Sequence, residues 1–191
     1  HAGHAARNGV MAARLARARF TANPDVLEGV PGTGHDHFGL AETFNREGHY
    51  HLERMVEGLG DPYEFACPRT FTKNHPGATA PAVPIDITIA LVTDHDIRPE
   101  QVERVECRVT PVALAIGCYP RPRTGLDARY SLWYGVAVSI LDRAAGLKQY
   151  TDRRVRADDV QRLLERVEVV ADPELKTDGL AGWGTCVVTI S

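Results

Sequence analysis

The period of apolar positions separates a helical first part of the chain from a mixed second part. Residues 5 to 20 are rich in alanine, the strongest helix former, and Met11, Leu15 and Ala18 recur on one helical face. Small residues beside that face favour close packing against another helix. Shorter helical patterns in residues 38 to 59 predict one or two short helices. We therefore expect the first part of the chain to be helical.

The second part begins near Asp86, where alternating apolar and polar positions predict β-strands. The apolar run 85–96 is compatible with a helix or a strand, and residues 157 to 165 predict a short helix. Strands that alternate with helices indicate an α+β fold. We expect the strands to share one sheet with mainly antiparallel pairing, at 104–110, 166–171 and 185–190.

A long apolar segment follows the first predicted strand and favours a helix. Thr124 and Asp127 have the spacing of a capping box, in which two side chains satisfy the free amides at a helix start. The segment then repeats apolar residues at helical spacing. The residues expected on one face of this single helix are Leu126, Tyr130, Tyr134, Ala137 and Leu141.

Two loops interrupt these patterns. Residues 29 to 37 combine glycine, proline and polar residues and predict a loop, and residues 60 to 84 are rich in proline. The proline-rich segment is the best candidate for a domain junction. We accordingly predict a helical segment, 1–72, and an antiparallel-rich α+β domain, 73–191. The helical pattern is already present at the first residues, and the last residues still have the alternating pattern of a strand. We therefore expect the protein to continue on both sides and the α+β domain to be incomplete at its C-terminus.

Composition narrows the class of protein. The chain has 191 residues, 43% of them hydrophobic and 25% charged, which is typical of a globular protein. Its net charge of −3 argues against nucleic acid as a partner, and no apolar run approaches the length that spans a bilayer. The arginine-rich first helix leaves RNA binding as a minor alternative. The cysteines form no C-x-x-C pair, so we predict reduced thiols in a cytoplasmic protein.

Two H-x-H pairs are candidate metal ligands. His35 and His37 form one pair, and His49 and His51 form the other. In an extended strand both rings of such a pair lie on one face and can ligate a metal. The surrounding sequence is typical of a loop, which favours solvated histidines. We predict no metal site and no cofactor.

A proline-rich motif resembles the MmgE/PrpD family, which includes 2-methylcitrate dehydratases, cis-aconitate decarboxylases and iminodisuccinate epimerases. The family motif has a lysine, an aromatic residue two positions on, a proline three on, and an Ile/Leu-Asp pair twelve and thirteen on. This chain matches it with Lys73, His75 in the aromatic slot, Pro76, Ile85 and Asp86. Four further segments are similar in order and spacing: HAGHAARNGVMAARLARARFTANPDVLEG, RPEQVERVECRVTP, RPRTGLDARYSLWYGVAVSILD and RVEVVADPEL.

The resemblance implies a two-domain, cofactor-independent lyase or isomerase that acts beside a carboxylate of a small polycarboxylic acid. Its site lies between an all-helical domain and an α+β lid, and the family architecture implies a homodimer. Residues 1–72 would belong to the helical domain and 73–191 to the lid. The resemblance also implies that an N-terminal half supplies the opposite wall of the site, so we expect this chain alone to be inactive.

The resemblance assigns roles to particular residues. It makes Lys73 the ligand of a substrate carboxylate, because an ammonium stabilises the negative charge that develops when a proton or carbon dioxide leaves. It places Tyr134 in the family's SLPY segment as a proton carrier, and His1, at the start of the first matching segment, among the substrate-binding residues. From the residues alone, Lys73 is expected to be a surface lysine, and Tyr134 is as well explained by packing as by catalysis.

One departure from the family pattern leaves a second function open. The family usually has histidine or cysteine five positions after the motif lysine and often histidine nine after it, and here these positions are Ala78 and Ala82. His75 is the nearest substitute for proton transfer, or else a loop histidine without a role. The alternative to an enzyme is a non-catalytic family member that serves as a packing or oligomerisation module.

Overall fold

The structure is a computed structural model, and it describes residues 1–30, 37–45, 49–63, 66, 72–175 and 185–191. The described residues form helices and short strands. In chain order they are α1 (Ala2–Arg17), β1 (Gly29–Val30), β2 (His37–Phe38), α2 (Leu40–Phe44), a 3-10 turn (Leu52–Met55), α3 (Ala82–Asp94), a second 3-10 turn (Pro99–Gln101), β3 (Val105–Val109), α4 (Pro111–Ile116), α5 (Gly125–Ala128), α6 (Leu132–Asp142), α7 (Asp152–Val155), α8 (Asp158–Leu164), β4 (Val167–Ala171) and β5 (Cys186–Ile190).

Two compact units make up the chain, His1–Thr70 and Phe71–Ser191. In the first unit every side chain of α1 is exposed, including Met11 and Leu15 of the predicted apolar face. The segment 29–37, predicted as a loop, differs from that prediction at its ends, where β1 and β2 pair antiparallel. A ladder of two residues on each side is too short to produce a recognisable alternation of apolar and polar positions.

The second unit is α+β, as predicted, and its three predicted strands lie in one sheet in the order β4-β3-β5. The antiparallel-rich detail is not confirmed, because β3 pairs parallel with β4 and antiparallel with β5. Alternation reveals a strand but not its direction. The helices between β3 and β4 provide the long crossover that parallel neighbours need.

The core of the second unit lies between the sheet and its helices. α3 packs against α6, and α6 also packs against α8 and β4. Most of α6 is buried, so it is apolar nearly all round, as expected of a central helix. Among the described residues, no helix is both long enough and apolar enough to cross a membrane.

The segment predicted as one helix is two, and this break determines where Tyr134 lies. The Thr124–Asp127 capping box is confirmed, but it opens only the short helix α5. Ser131 then caps α6: its Oγ accepts from the amide of Tyr134 at 3.0 Å and donates to the carbonyl of Tyr119 at 2.6 Å. A serine cap competes with continued helix, so the expected single face is wrong. Tyr130 is exposed, while Tyr134 is buried.

Replacing Ser131 with alanine is expected to lower the free energy of unfolding by about 1–2 kcal/mol. The variant loses a helix cap and leaves a polar group without its partner inside the protein, since Ser131 is fully buried. Thr151→Ala is the matched control, because Thr151 caps α7 in the same way, with Oγ accepting from Arg154 at 3.2 Å, but is exposed. Urea unfolding measures both, and an equal loss in the two variants would contradict the role of burial.

Candidate active site

The loop before α3, residues 73–81, contains the start of the sequence motif and is called the motif loop; it carries an exposed lysine. The Nζ atom of Lys73 donates to the carbonyl of Gly77 at 2.8 Å, a bond that closes a small turn within the loop. A carbonyl is neutral, so this contact orients the ammonium without cancelling its charge. Lys73 therefore presents a positive charge at the surface from a fixed position, as a ligand for a carboxylate requires.

His75 connects the same loop to two other segments of the second unit. Its Nε2 lies 2.8 Å from Oδ1 of Asp86 in the first turns of α3, and its Nδ1 lies 3.0 Å from the carbonyl of Ala145, just beyond α6. The His75 side chain is 11% exposed, whereas that of Asp86 is 56% exposed. Both partners accept hydrogen bonds, so both bonds exist together only when the ring carries two protons.

The geometry of His75 limits what it can do. In the described conformation each ring nitrogen is held by the protein, so transfer of a proton to a bound molecule requires one contact to open. The ring is better placed to fix the motif loop and to orient the carboxylate of Asp86, whose Oδ2 has no hydrogen-bond partner among the described residues. Asp86 is a residue of the sequence motif, but it was not predicted to belong to the site. Its position thirteen residues after Lys73 was the available signal.

Glycine at position 77 is required by close packing and by backbone conformation. Its φ is +121°, and a Cβ built there would lie 2.4 Å from the carbonyl oxygen of Arg129. The same carbonyl accepts from the amide of Ala78 at 2.9 Å, which fixes the motif loop to the break between α5 and α6. Ala78 and Ala82 are half-buried and bring only methyl groups to this region.

Tyr134 lies in the core of the second unit. Its side chain is fully buried, its hydroxyl donates to the carbonyl of Gln149, and its ring packs edge-on against Tyr150 with the centroids 5.4 Å apart. Burial raises the pKa of the Tyr134 phenol, so the hydroxyl keeps its proton. No described contact joins Tyr134 to Lys73. A catalytic role for Tyr134 stays a prediction, and it requires the hydrogen bond from its hydroxyl to the Gln149 carbonyl to break.

The remaining candidates lie in the first unit. His1 is exposed at the N-terminus of α1. His51 contacts Glu53 through Nδ1 at 3.2 Å, and both side chains are exposed. His35 lies outside the described residues, and only the backbone of His37 is described. Across the described ranges, no group of three histidine, cysteine or acidic residues is arranged to hold a metal ion.

Comparison with known proteins identifies the family of the second unit. A family model described as the MmgE/PrpD C-terminal domain matches residues 77–191, more than half of the chain. The match begins after Lys73 and His75 and includes Asp86 and Tyr134. No curated protein matches the sequence. The extent of the family match shows that this chain belongs to the MmgE/PrpD family, with its C-terminal domain at residues 77–191.

Proposed function

We propose that the protein is a cofactor-independent lyase or isomerase that acts on the carbon beside a carboxylate of a small polycarboxylic acid. The observation that carries this proposal is Lys73, an exposed ammonium oriented by the Gly77 carbonyl and placed in the same loop as His75, which binds Asp86. Family membership supports the class of reaction, since the family includes dehydratases and other lyases. A homodimer and a cytoplasmic location remain predictions.

The proposed roles follow from charge and exposure. Removal of a proton or of carbon dioxide beside a carboxylate increases the negative charge on that carboxylate. Lys73 lowers the energy of this state because its ammonium is positioned before the reaction begins. His75 positions the loop and Asp86, and Tyr134 and His1 enter as the proton carrier and a substrate ligand that the family resemblance implies. The helical domain implied by the resemblance would supply the other wall.

Turnover by the polypeptide that carries this chain tests the proposal. The substrates are 2-methylcitrate, cis-aconitate and citrate in D₂O, and proton NMR follows loss of carbon-bound hydrogen and formation of new products. Lys73→Met is expected to lower kcat/KM by about a hundredfold or more, as for loss of one preorganised charge-stabilising group. Arg162→Met is the control, because it removes an exposed cation from α8 and leaves the motif loop intact. A Lys73→Met value within about threefold of wild type would contradict the role.

A non-catalytic packing or oligomerisation module is the second candidate, and two observations favour it. Ala78 and Ala82 offer no group for proton transfer, and both nitrogens of His75 are held by the protein. If wild type leaves every substrate unchanged and light scattering gives a defined oligomer, this module replaces the enzyme as the preferred function.

A further inference from the structure

An arginine-lined pocket lies on the second unit and contains none of the candidate active-site residues. Its volume is about 360 Å³, which is within the range of small-molecule sites. The described lining consists of three arginines, a proline and a glutamine: Arg121, Pro122, Arg123, Arg156 and Gln161. Pro122 is buried, while the three arginines are exposed, so the pocket is lined by cationic residues that reach solvent.

The guanidinium of Arg156 is held in place by neighbouring groups. Its Nε donates to the carbonyl of Arg123 at 2.8 Å, and Nη2 contacts Oδ2 of Asp152 at 3.3 Å. The other oxygen of Asp152 accepts from the amide of Gly125 at 2.8 Å, so Asp152 is itself fixed at the start of α5. Among the described residues, the other N–H groups of Arg156 have no hydrogen-bond partner, and the bond to the Arg123 carbonyl restricts the side chain, which reduces the entropy lost on binding a ligand.

Nearby acids offset the positive charge of the pocket only in part: Asp152 pairs with Arg156 through side chains that are both more than half exposed. Asp127 accepts from the amides of Arg123 and Thr124 at 3.1 Å each, and these bonds help to lower the pKa of its carboxyl group. Its charge therefore faces the backbone rather than a guanidinium. Nη2 of Arg121 lies 3.9 Å from Oε1 of Glu165, and both side chains are largely exposed, so this ion pair is weak. Within the described structure, no carboxylate accepts from the guanidinium of Arg123.

We propose that this pocket binds a small anion that carries two or more oxyanion groups, either phosphoryl or carboxylate. Guanidinium groups donate paired hydrogen bonds to both kinds of oxyanion, and three of them around one pocket favour a multiply charged ligand. Asp158 and Glu165 line the adjoining pocket, so the positive surface is local. A small ligand fits this charge distribution better than a polyanionic polymer. The site is independent of the proposed function.

Isothermal titration at constant ionic strength, with pyrophosphate and with citrate as separate ligands, tests this site. We expect saturable binding of at least one ligand to wild type, weakened about tenfold or more in Arg123→Gln and in Arg156→Gln. Arg153→Gln is the matched control, because Arg153 is exposed on α7 beside these residues but does not line the pocket. The control is expected to bind within about twofold of wild type. Thermal unfolding verifies that each variant is folded.

The pattern of results separates this site from the proposed active site. Binding of pyrophosphate alone assigns a phosphoryl ligand, and binding of citrate alone assigns a carboxylate ligand, provided that Arg123→Gln weakens it. The proposal is overturned if neither ligand binds saturably, or if Arg153→Gln loses as much affinity as Arg123→Gln. It is also overturned if binding of every ligand that binds wild type is lost in Lys73→Met but kept in Arg123→Gln, since those ligands would occupy the motif loop.

Discussion

Arg154→Met is expected to lower the free energy of unfolding of the second unit by about 3 kcal/mol. Arg154 binds Asp142 through Nη2 at 2.6 Å and Nε at 3.1 Å, and it binds Asp159 through Nη1 at 2.8 Å. The side chains of Arg154 and Asp142 are only 20% and 21% exposed. Methionine keeps most of the apolar stem but leaves two carboxylates close together without their cation. Asp142 is also the last residue of α6, where a negative charge opposes the helix dipole.

Urea unfolding at neutral pH measures this effect. Arg153→Met is the matched control, since Arg153 is the adjacent residue of α7 and is exposed. It should change the free energy of unfolding by about 0.5 kcal/mol or less. A loss in Arg154→Met no larger than that of the control would show that the ion pairs with Asp142 and Asp159 contribute little.

The dependence of stability on pH gives a second test of the same ion pairs. The hydrogen bond from Arg154 is the main cause that lowers the pKa of Asp159 in the folded protein. A carboxyl group whose pKa is lower in the folded than in the unfolded protein stabilises the fold at pH values above its unfolded pKa, which is about 4 for aspartate. This stabilisation is lost as the pH falls through the folded pKa. The difference in stability between wild type and Arg154→Met should therefore shrink as pH falls from about 5 to about 2. A difference independent of pH would assign the effect to packing instead.

Gly77→Ala is expected to lower the free energy of unfolding by about 2–4 kcal/mol, because two costs combine. Alanine is strained at a φ of +121°, and its methyl group would lie 2.4 Å from the carbonyl oxygen of Arg129. Relief of that overlap must move the motif loop away from the α5–α6 break. Since the carbonyl of Gly77 accepts from Lys73, the ammonium would move with it.

Gly146→Ala is the control for this substitution in the same unit. A Cβ at Gly146 meets only the side-chain oxygen of Gln149, at 3.6 Å, and its φ is not in the left-handed region. Its free energy of unfolding should be close to that of wild type. Urea unfolding compares the two variants, and similar values would show that the chain relieves the overlap at Gly77 without cost.

Local signals predicted the elements of the second unit more reliably than their arrangement. Alternation gave β3, β4 and β5, and the spacing of Thr124 and Asp127 gave a confirmed capping box. The parallel pairing of β3 with β4 was not predicted, because strand direction depends on how the intervening helices pack. The break at Ser131 was also missed, since a serine within an apolar helical pattern is compatible with both a cap and a continued helix.

The candidate site shows the same division between local and tertiary information. Lys73, His75 and Asp86 all belong to the sequence motif, and α3 places Oδ1 of Asp86 2.8 Å from Nε2 of His75. No sequence signal indicated the carbonyl of Ala145 as the second partner of His75, because that contact joins positions 70 residues apart. For Tyr134, the helical pattern left packing and catalysis both open; the residue is fully buried, and its amide donates to the capping Oγ of Ser131.

The central position of β3 makes the folding of the second unit depend on distant partners. Next to β3, Arg104 binds Glu168, 64 positions away, and it is also bonded through its carbonyl to Ser191, 87 positions away. β3 emerges from the ribosome before either neighbouring strand exists, so its backbone groups cannot pair at that stage. Proteins dominated by such distant pairings fold slowly. The helices from α4 to α8 can form before β3 pairs with its neighbouring strands. Completion of the sheet is therefore expected to be the slow, late step in the folding of this domain.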